Sequence, residues 1–294
     1  MKAAPFEYSR AADVDEACTL LAADDGARII AGGQTLVPMM AMRLARPTRL
    51  IDINRIAGLS YIRAEDGGIA VGATTRQCAL ERDALIAGQV PLLARAIPHI
   101  GHAAARARGT IGGSLANADP AAESALIAVT LDAVLSYRCG DKTSTIAARD
   151  FFVGPMTTTL PAAACLTGVR FPVWSSGRIG VGFHEVNARS SDFAFVSAAA
   201  QVELGADGKC RRIAIGVGAA TDCPVRLDSA EQQLAGTDLD AKTVDAAVRE
   251  ALADIDALSD LHATPEYRRR AAISLARRAV ADALADAQGK THAH

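Results

Sequence analysis

Two short glycine-rich segments, AGGQT at residues 31–35 and GTIGGS at residues 109–114, constrain this chain more than any other feature. Glycine tolerates positive φ and keeps no side chain between a ligand and the main chain, so paired glycines serve either an awkward turn or a row of N–H groups on an anion. The first segment follows the strand-like ARII. The second runs into LANADPAAE, which brings the carboxylates Asp119 and Glu123 within ten residues. Neither fits the common nucleotide templates, since GxGxxG and GxxxxGK[ST] are both missing. GVGAAT at residue 216 stops short of the third glycine and ends a strand, unlike a Rossmann turn. Two nests from separate parts of one domain can converge on a diphosphate without any lysine.

The pattern around the glycines is mixed. Asp13 and Glu16 form a capping-box pair ahead of Val14, Ala17, Cys18, Leu20 and Leu21. TLVPMMAMRLA (35–45) reads as a helix entered near Pro38, and TRLIDI (48–53) as a strand. A hairpin is expected from LSYIRA and GIAVGA about Asp66, Gly67 and Gly68. Residues 74–100 and PAAESALIAVTLDA (120–133) read as helical, AVLSYRC and ACLTGVRFP as strands. Three strands are expected in residues 177–218, with GADGK turning the last two. Val244, Val248, Leu252, Ile255 and Leu258 form one helical stripe, and Thr264–Pro265 begins the final helix.

With 294 residues, two domains with real cores are expected, and a net charge of −2 with half the residues hydrophobic argues against a disordered or nucleic-acid-coating chain. No apolar run of membrane-spanning length and no signal-peptide core is present, so the expected location is cytoplasmic, with no membrane span. Cys18, Cys78, Cys139, Cys165, Cys210 and Cys223 are far apart, with no CxxC and no Cys/His set at metal spacing, so neither a zinc site nor an iron–sulfur cluster is readable. The THAH tail is read as a frayed end, and His102 as structural.

At this point AGGQTLVPMMAMRLARPTRLIDI and RGTIGGSLANADPAAE resemble the two flavin-binding stretches of the FAD-binding (medium) subunit of the molybdenum hydroxylases, the xanthine dehydrogenase and carbon monoxide dehydrogenase group. SSDFAFVSAAAQVEL resembles that family's C-terminal strand segment and TPEYRRRAAISLARRA its final helix, in the same order along essentially the whole chain. The resemblance implies an α+β protein: a two-part FAD-binding domain of the vanillyl-alcohol-oxidase type, then a C-terminal domain with a three-stranded antiparallel sheet and helices. The implied domains are 1–175, divided near residue 55, and 176–294.

Carried over residue by residue, the resemblance places Ala31, Gly32, Gly33, Gln34, Thr35 and Leu36 in the first loop around the diphosphate, and Thr110, Ile111, Gly112, Gly113 and Ser114 in the second. Asp119 and Glu123 are then the polar residues nearest the ribityl or adenosine hydroxyls, and Leu166 lies against the ring system. Asp119 reads equally as a helix N-terminal charge beside Pro120. His184, where some relatives place a lysine near the flavin, stands either beside the isoalloxazine or as an ordinary strand residue, with Phe183 and Asp192 in the same region. The implied cofactor is noncovalent FAD. The implied partners are a [2Fe-2S] small subunit and a molybdopterin large subunit, in a dimer of heterotrimers. The chain is then an oxidoreductase subunit with no catalytic residues of its own, passing electrons from the iron–sulfur relay through the flavin to an external acceptor. A stand-alone flavin oxidase or reductase and a flavin-free structural subunit are the rival readings.

Overall fold

The computed structural model describes residues 2–174 and 177–290. Strand β1 (Glu7–Arg10), helix α1 (Val14–Ala22), β2 (Arg28–Ile30), α2 (Leu36–Ala41) and β3 (Arg49–Asp52) make a small unit whose sheet is parallel in the order β1-β3-β2. Asp13 caps α1 by accepting from the Glu16 N–H, and Glu16 returns a carboxylate to the Ala12 N–H at 2.6 Å. Helix α2 is shorter than its sequence suggests. Arg43 takes a left-handed φ of 61°, and the chain turns back so that the Leu44 N–H donates to Met39 O.

The hairpin β4 (Ile62–Glu65) and β5 (Gly68–Gly72) follows, turning through Gly67 at φ 70°. The expected helical stretch from residue 74 is broken into α3 (Gln77–Arg82), α4 (Ala84–Gln89) and α5 (Pro91–Ala96). Asp83 stops the first by capping the second, and Pro91 opens the third. Then come α6 (Ala103–Arg106), α7 (Ile111–Asn117) and the buried α8 (Glu123–Thr130). Strands β6 (Val134–Cys139) and β7 (Lys142–Ala147), helix α9 (Ala148–Phe151), the short pair β8 (Phe152–Gly154) and β9 (Thr157–Thr158), and β10 (Ala164–Pro172) complete this part. Its sheet is antiparallel in the order β4-β5-β10-β6-β7, with a bulge in β10 between Leu166 and Gly168.

The C-terminal part has one strand more than expected. β11 (Arg178–Asn187), β12 (Ala194–Leu204) and β13 (Cys210–Gly218) are joined by the two-residue β14 (Val225–Arg226), whose backbone pairs with Gly216 and Val217. Helices α10 (Asp228–Leu234), α11 (Ala241–Ala251) and α12 (Pro265–Ala287) cover it. The stripe read as one helix ends at Ala251. Ile255 and Leu258 lie beyond it, where the Leu258 N–H donates to Ala220 O. The proposed boundary at 175/176 and the THAH tail lie outside the described residues.

Alternation along β11 decides what each of its faces meets. Gly180 and Gly182 lie against α12, where an added Cβ would come 2.1 Å from Ala283 O and from Ala279 O. The helix answers with Ala272, Ala276, Ala279, Ala283 and Ala287, a buried stripe at helical spacing. On the other face Val181 and Phe183 join the core formed by α5, α8 and the five-stranded sheet. The two parts therefore share apolar packing. An ion-pair network fastens the same seam: Arg226 bonds Asp132 and Glu231, while Arg149 bonds Asp132 and Asp228. None of the described helices is long and apolar enough to cross a membrane.

Candidate cofactor site

A cleft of about 960 Å³ opens between the small parallel unit, the five-stranded sheet and the turn before β12. Ala31 to Leu36 form one wall. Gly109, Thr110, Gly112, Gly113 and Ser114 form a second, and Asp119, Glu123 and Leu166 line it as well. Distant segments of the chain thus meet around one space.

The two glycine segments touch back to back. A Cβ on Gly32 would sit 2.5 Å from Arg108 O and 2.8 Å from Gly109 Cα, so a bare backbone is required where they cross. Arg76 locks the crossing from behind. Its guanidinium donates to Asn54 Oδ1 at 2.7 Å and to Arg108 O, and Asn54 in turn donates to Ala31 O at 2.8 Å. The sequence reading missed Arg76 and Asn54. No local motif marks a side chain that works by reaching two remote carbonyl-bearing segments.

The segments do different work. In the first, the N–H groups of Gly32, Gly33, Gln34 and Thr35 find no acceptor among the described residues, which leaves a row of donors along the cleft. In the second, the donors are already used: Ile111 N–H bonds Thr75 O, Gly112 N–H bonds Ala73 O, Gly113 N–H bonds Thr110 Oγ1 and Ser114 N–H bonds Thr110 O. The expected second loop is therefore the capped first turn of α7. It offers the cleft hydroxyls, Thr110 and Ser114, rather than free amides.

Glycine also has different reasons at Gly112 and Gly113. A Cβ on Gly112 would come 2.5 Å from the Ala73 Cβ, so this glycine serves packing. At Gly113 an added Cβ meets Thr110 Oγ1 at 2.7 Å and nothing else within 4 Å. Ile111 is fully buried and lies outside the lining.

Burial governs the acids. Asp119 accepts from the Ala121 N–H at 2.9 Å, yet desolvation raises its carboxyl above the usual range. Glu123 is 8% exposed, and burial pushes it up to about 8, with the charges of Glu185 and Asp119 adding to the shift. A protonated Glu123 both donates and accepts, as a sugar-alcohol chain requires of its partners. Cys165 also lines the cleft, where burial drives its thiol up to about 12 and keeps it a neutral, inert group.

His184 is not brought into the cleft. It projects from β11 on the face shared with Gly180 and Gly182, and its Nε2 lies 2.8 Å from Asp282 on α12. The neighbouring Phe183 faces the other way, as the two-residue strand period dictates. Asp192 and Phe193 do reach the lining, and His102, exposed, stands at its edge. The sequence reading missed Gln77, Thr158, Leu160, Pro161 and Ala162, which enter from α3 and the segment before β10 and carry no pattern beyond ordinary loop composition.

The donor row, the hydroxyls and the neutral acid fit a flavin dinucleotide: amides for a diphosphate, hydroxyl partners for a ribityl chain, and Leu166 for an apolar ring. Comparison with known proteins agrees. Residues 4–174 match the FAD binding domain in molybdopterin dehydrogenase, and residues 182–283 match the CO dehydrogenase flavoprotein C-terminal domain. The chain is 36% identical to subunit alpha of the 6-hydroxypseudooxynicotine dehydrogenase complex of Paenarthrobacter nicotinovorans, over 97% of this chain and 96% of that one. It is 34% identical to the carbon monoxide dehydrogenase medium chain of Afipia carboxidovorans, over 96% and 98%. Among solved structures, a Cu,Mo-CO dehydrogenase chain superposes with a TM-score of 0.94 at 32% identity, covering 97% of this chain and 100% of that one. A chain of quinoline 2-oxidoreductase from Pseudomonas putida 86 gives 0.92 at 33% identity, covering 99% and 100%.

Proposed function

Because the chain belongs to the family of FAD-binding medium subunits of molybdenum hydroxylases, we propose that it is the electron-transfer subunit of such a complex. It takes electrons from the clusters of a [2Fe-2S] small subunit and passes them through FAD to an external acceptor. The organic substrate is oxidised on a molybdopterin large subunit. The observation that carries this reading is the row of four amides at Gly32–Thr35 with no partner among the described residues, in a cleft also lined by the Thr110 and Ser114 hydroxyls and by the buried Glu123.

In the bound state the amides of Gly32, Gly33, Gln34 and Thr35 hold the diphosphate. Thr110 and Ser114 donate beside them, Asp119 and Glu123 take the hydroxyls, and Leu166 excludes water from the ring. FAD supplies a centre that accepts electrons singly or in pairs. Attachment is noncovalent, since the matched flavin-binding stretches place no His or Cys for a bond to the cofactor. The same reading extends to a vanillyl-alcohol-oxidase type of FAD domain over 1–175 with a C-terminal domain over 176–294, to a dimer of heterotrimers, and to the cytoplasm.

The test is purification of the complex through a tag on this chain. Flavin absorbance, iron, molybdenum and two further polypeptides should accompany it, and acid precipitation should release the FAD into the supernatant. A colourless preparation refutes the cofactor assignment, yellow colour in the pellet refutes noncovalent attachment, and a chain that oxidises an organic substrate alone refutes the electron-transfer role.

A further inference from the structure

Gln77 is a buried polar side chain in the wall of the cofactor cleft whose carboxamide has no hydrogen-bond partner among the described residues. It opens α3 and is 5% exposed. Two backbone contacts fix where its side chain begins. The Gln77 N–H donates to Gly109 O at 3.0 Å, and the preceding residue, Arg76, forms a β-bridge with Thr110. Arg76 spends its guanidinium on Arg108 O and Asn54 Oδ1, so this turn brings a neutral carboxamide to the cleft rather than a cation.

The carboxamide is seated on bare backbone. A Cβ on Gly109 would come 2.3 Å from Gln77 Oε1, so the glycine leaves the room that the carboxamide fills. Gly109 in turn backs Gly32, whose own Cβ would come 2.8 Å from Gly109 Cα, and Gly32 begins the row of open amides. Gln77 therefore stands at the crossing of the two glycine segments, where the diphosphate is to be held.

An unpartnered carboxamide calls for an explanation when it is this deeply buried. Gln201 also has an unpartnered oxygen, but that one is sealed inside the packing, whereas Gln77 opens onto the cleft. Water can serve such a group while solvent fills the space. Once a ligand fills it, the carboxamide must find its partner on that ligand or lose its hydrogen bonds at a cost. Because Oε1 lies toward Gly109, the two N–H donors of Nε2 are what Gln77 offers to the cleft.

We propose that Gln77 is a further diphosphate ligand, with Nε2 donating to a phosphate oxygen beside the amides of Gly32 to Thr35. The proposal rests on the FAD reading and deepens it. Donors suit an anion, and an N–H bond to a charged oxygen is stronger than one to a neutral partner. The cofactor hydroxyls, by contrast, already have Asp119 and Glu123 to receive them. The bare Gly109 acquires a purpose as well, since it provides the seat that holds the carboxamide in place.

The experiment is titration of the FAD-stripped full chain with FAD, followed by flavin fluorescence, and with ADP, followed by calorimetry. Gln77→Met keeps the volume and removes the donor. Its Kd should rise about tenfold for both ligands while circular dichroism stays unchanged. Gln77→Glu sets a carboxylate against the diphosphate and should bind both more weakly still. Gly109→Ala pushes the carboxamide from its seat, so it should weaken FAD binding in the wild-type background and add little in Gln77→Met. A wild-type Kd in Gln77→Met, or full affinity in Gln77→Glu, overturns the proposal and leaves the FAD reading standing. So does a loss confined to FAD, which would put the contact away from the diphosphate, and so do equal losses from Gly109→Ala in the two backgrounds. A wild-type chain that takes up no FAD overturns that reading, and this ligand with it.

Discussion

At the scale of single residues, Glu123 shows how a local environment sets chemistry. Its folded carboxyl titrates near 8, while the unfolded chain titrates near 4.5. The native state therefore keeps a proton that the unfolded state releases, so stability is full below about pH 4.5 and falls as pH rises toward 8. Urea titrations of the FAD-free chain should lose a few kcal/mol across that window, whereas Glu123→Gln should lose distinctly less, the raised Asp119 carboxyl still contributing, since each pH unit is worth about 1.4 kcal/mol per group at most. Parallel curves would mean that the carboxyl ionises freely. The adjacent glycines separate in the same way. Gly113→Val should keep its fold by circular dichroism and lose FAD, because its Cβ meets no backbone and would push aside the Thr110 hydroxyl that lines the cleft. Gly112→Val should instead yield little soluble protein, since overpacking against Ala73 costs about 1–3 kcal/mol or more. Full FAD content in Gly113→Val would remove this segment from the binding site.

At the scale of elements, sequence periodicity identified β11 and α12 but not how closely they pack. RIGVGFHEV alternates, and its glycines at 180 and 182 look like weak points in a strand. In the fold they are what allows α12 to approach, with alanines lining the facing side of the helix. Gly182→Ala should lower the urea midpoint by an amount equivalent to about 1–3 kcal/mol with the slope unchanged. An unaltered midpoint would show that the helix can move away freely. The same alternation bears on His184. Resemblance to relatives with a lysine there left it either beside a flavin or as an ordinary strand residue; in the fold adjacent strand residues face opposite ways, and His184 meets Asp282 while Phe183 meets the FAD-domain core.

At the scale of the whole molecule, the two parts share one core, because Val181, Phe183 and Ala199 belong to the cluster built around α5 and α8. Arg226 ties that seam electrostatically. Its side chain is 9% exposed and bonds Asp132 and Glu231, and Glu231 also accepts from the Ile215 N–H. Arg226→Ala leaves the nearly buried Glu231 carboxylate without its cation, while the half-buried Asp132 keeps Arg149, and should cost about 3 kcal/mol in denaturant unfolding. Arg249→Ala, which removes an exposed pair with Asp245 on α11, should cost under about 0.5 kcal/mol. Equal losses from the two would deny the seam any special role. The same scale explains what could and could not be read in advance. The strands, the capped helix starts at Asp13 and Thr264 and the two glycine segments follow from spacings within a few residues, because hydrogen-bond and side-chain periods are local. Most elements were therefore legible in the sequence, though β1, β7, β8, β9 and β14 were not and the stretch from residue 74 was broken into separate helices, and the order of its motifs pointed to the family. Only the tertiary structure decided that Gly32 faces Arg108 and Gly109, that Arg76 braces both segments, that the second segment spends its amides on Ala73 and Thr75, and that Glu123 is buried. Those outcomes depend on burial and on contacts between residues far apart in the chain, and no local pattern encodes which face of one element will meet which face of another.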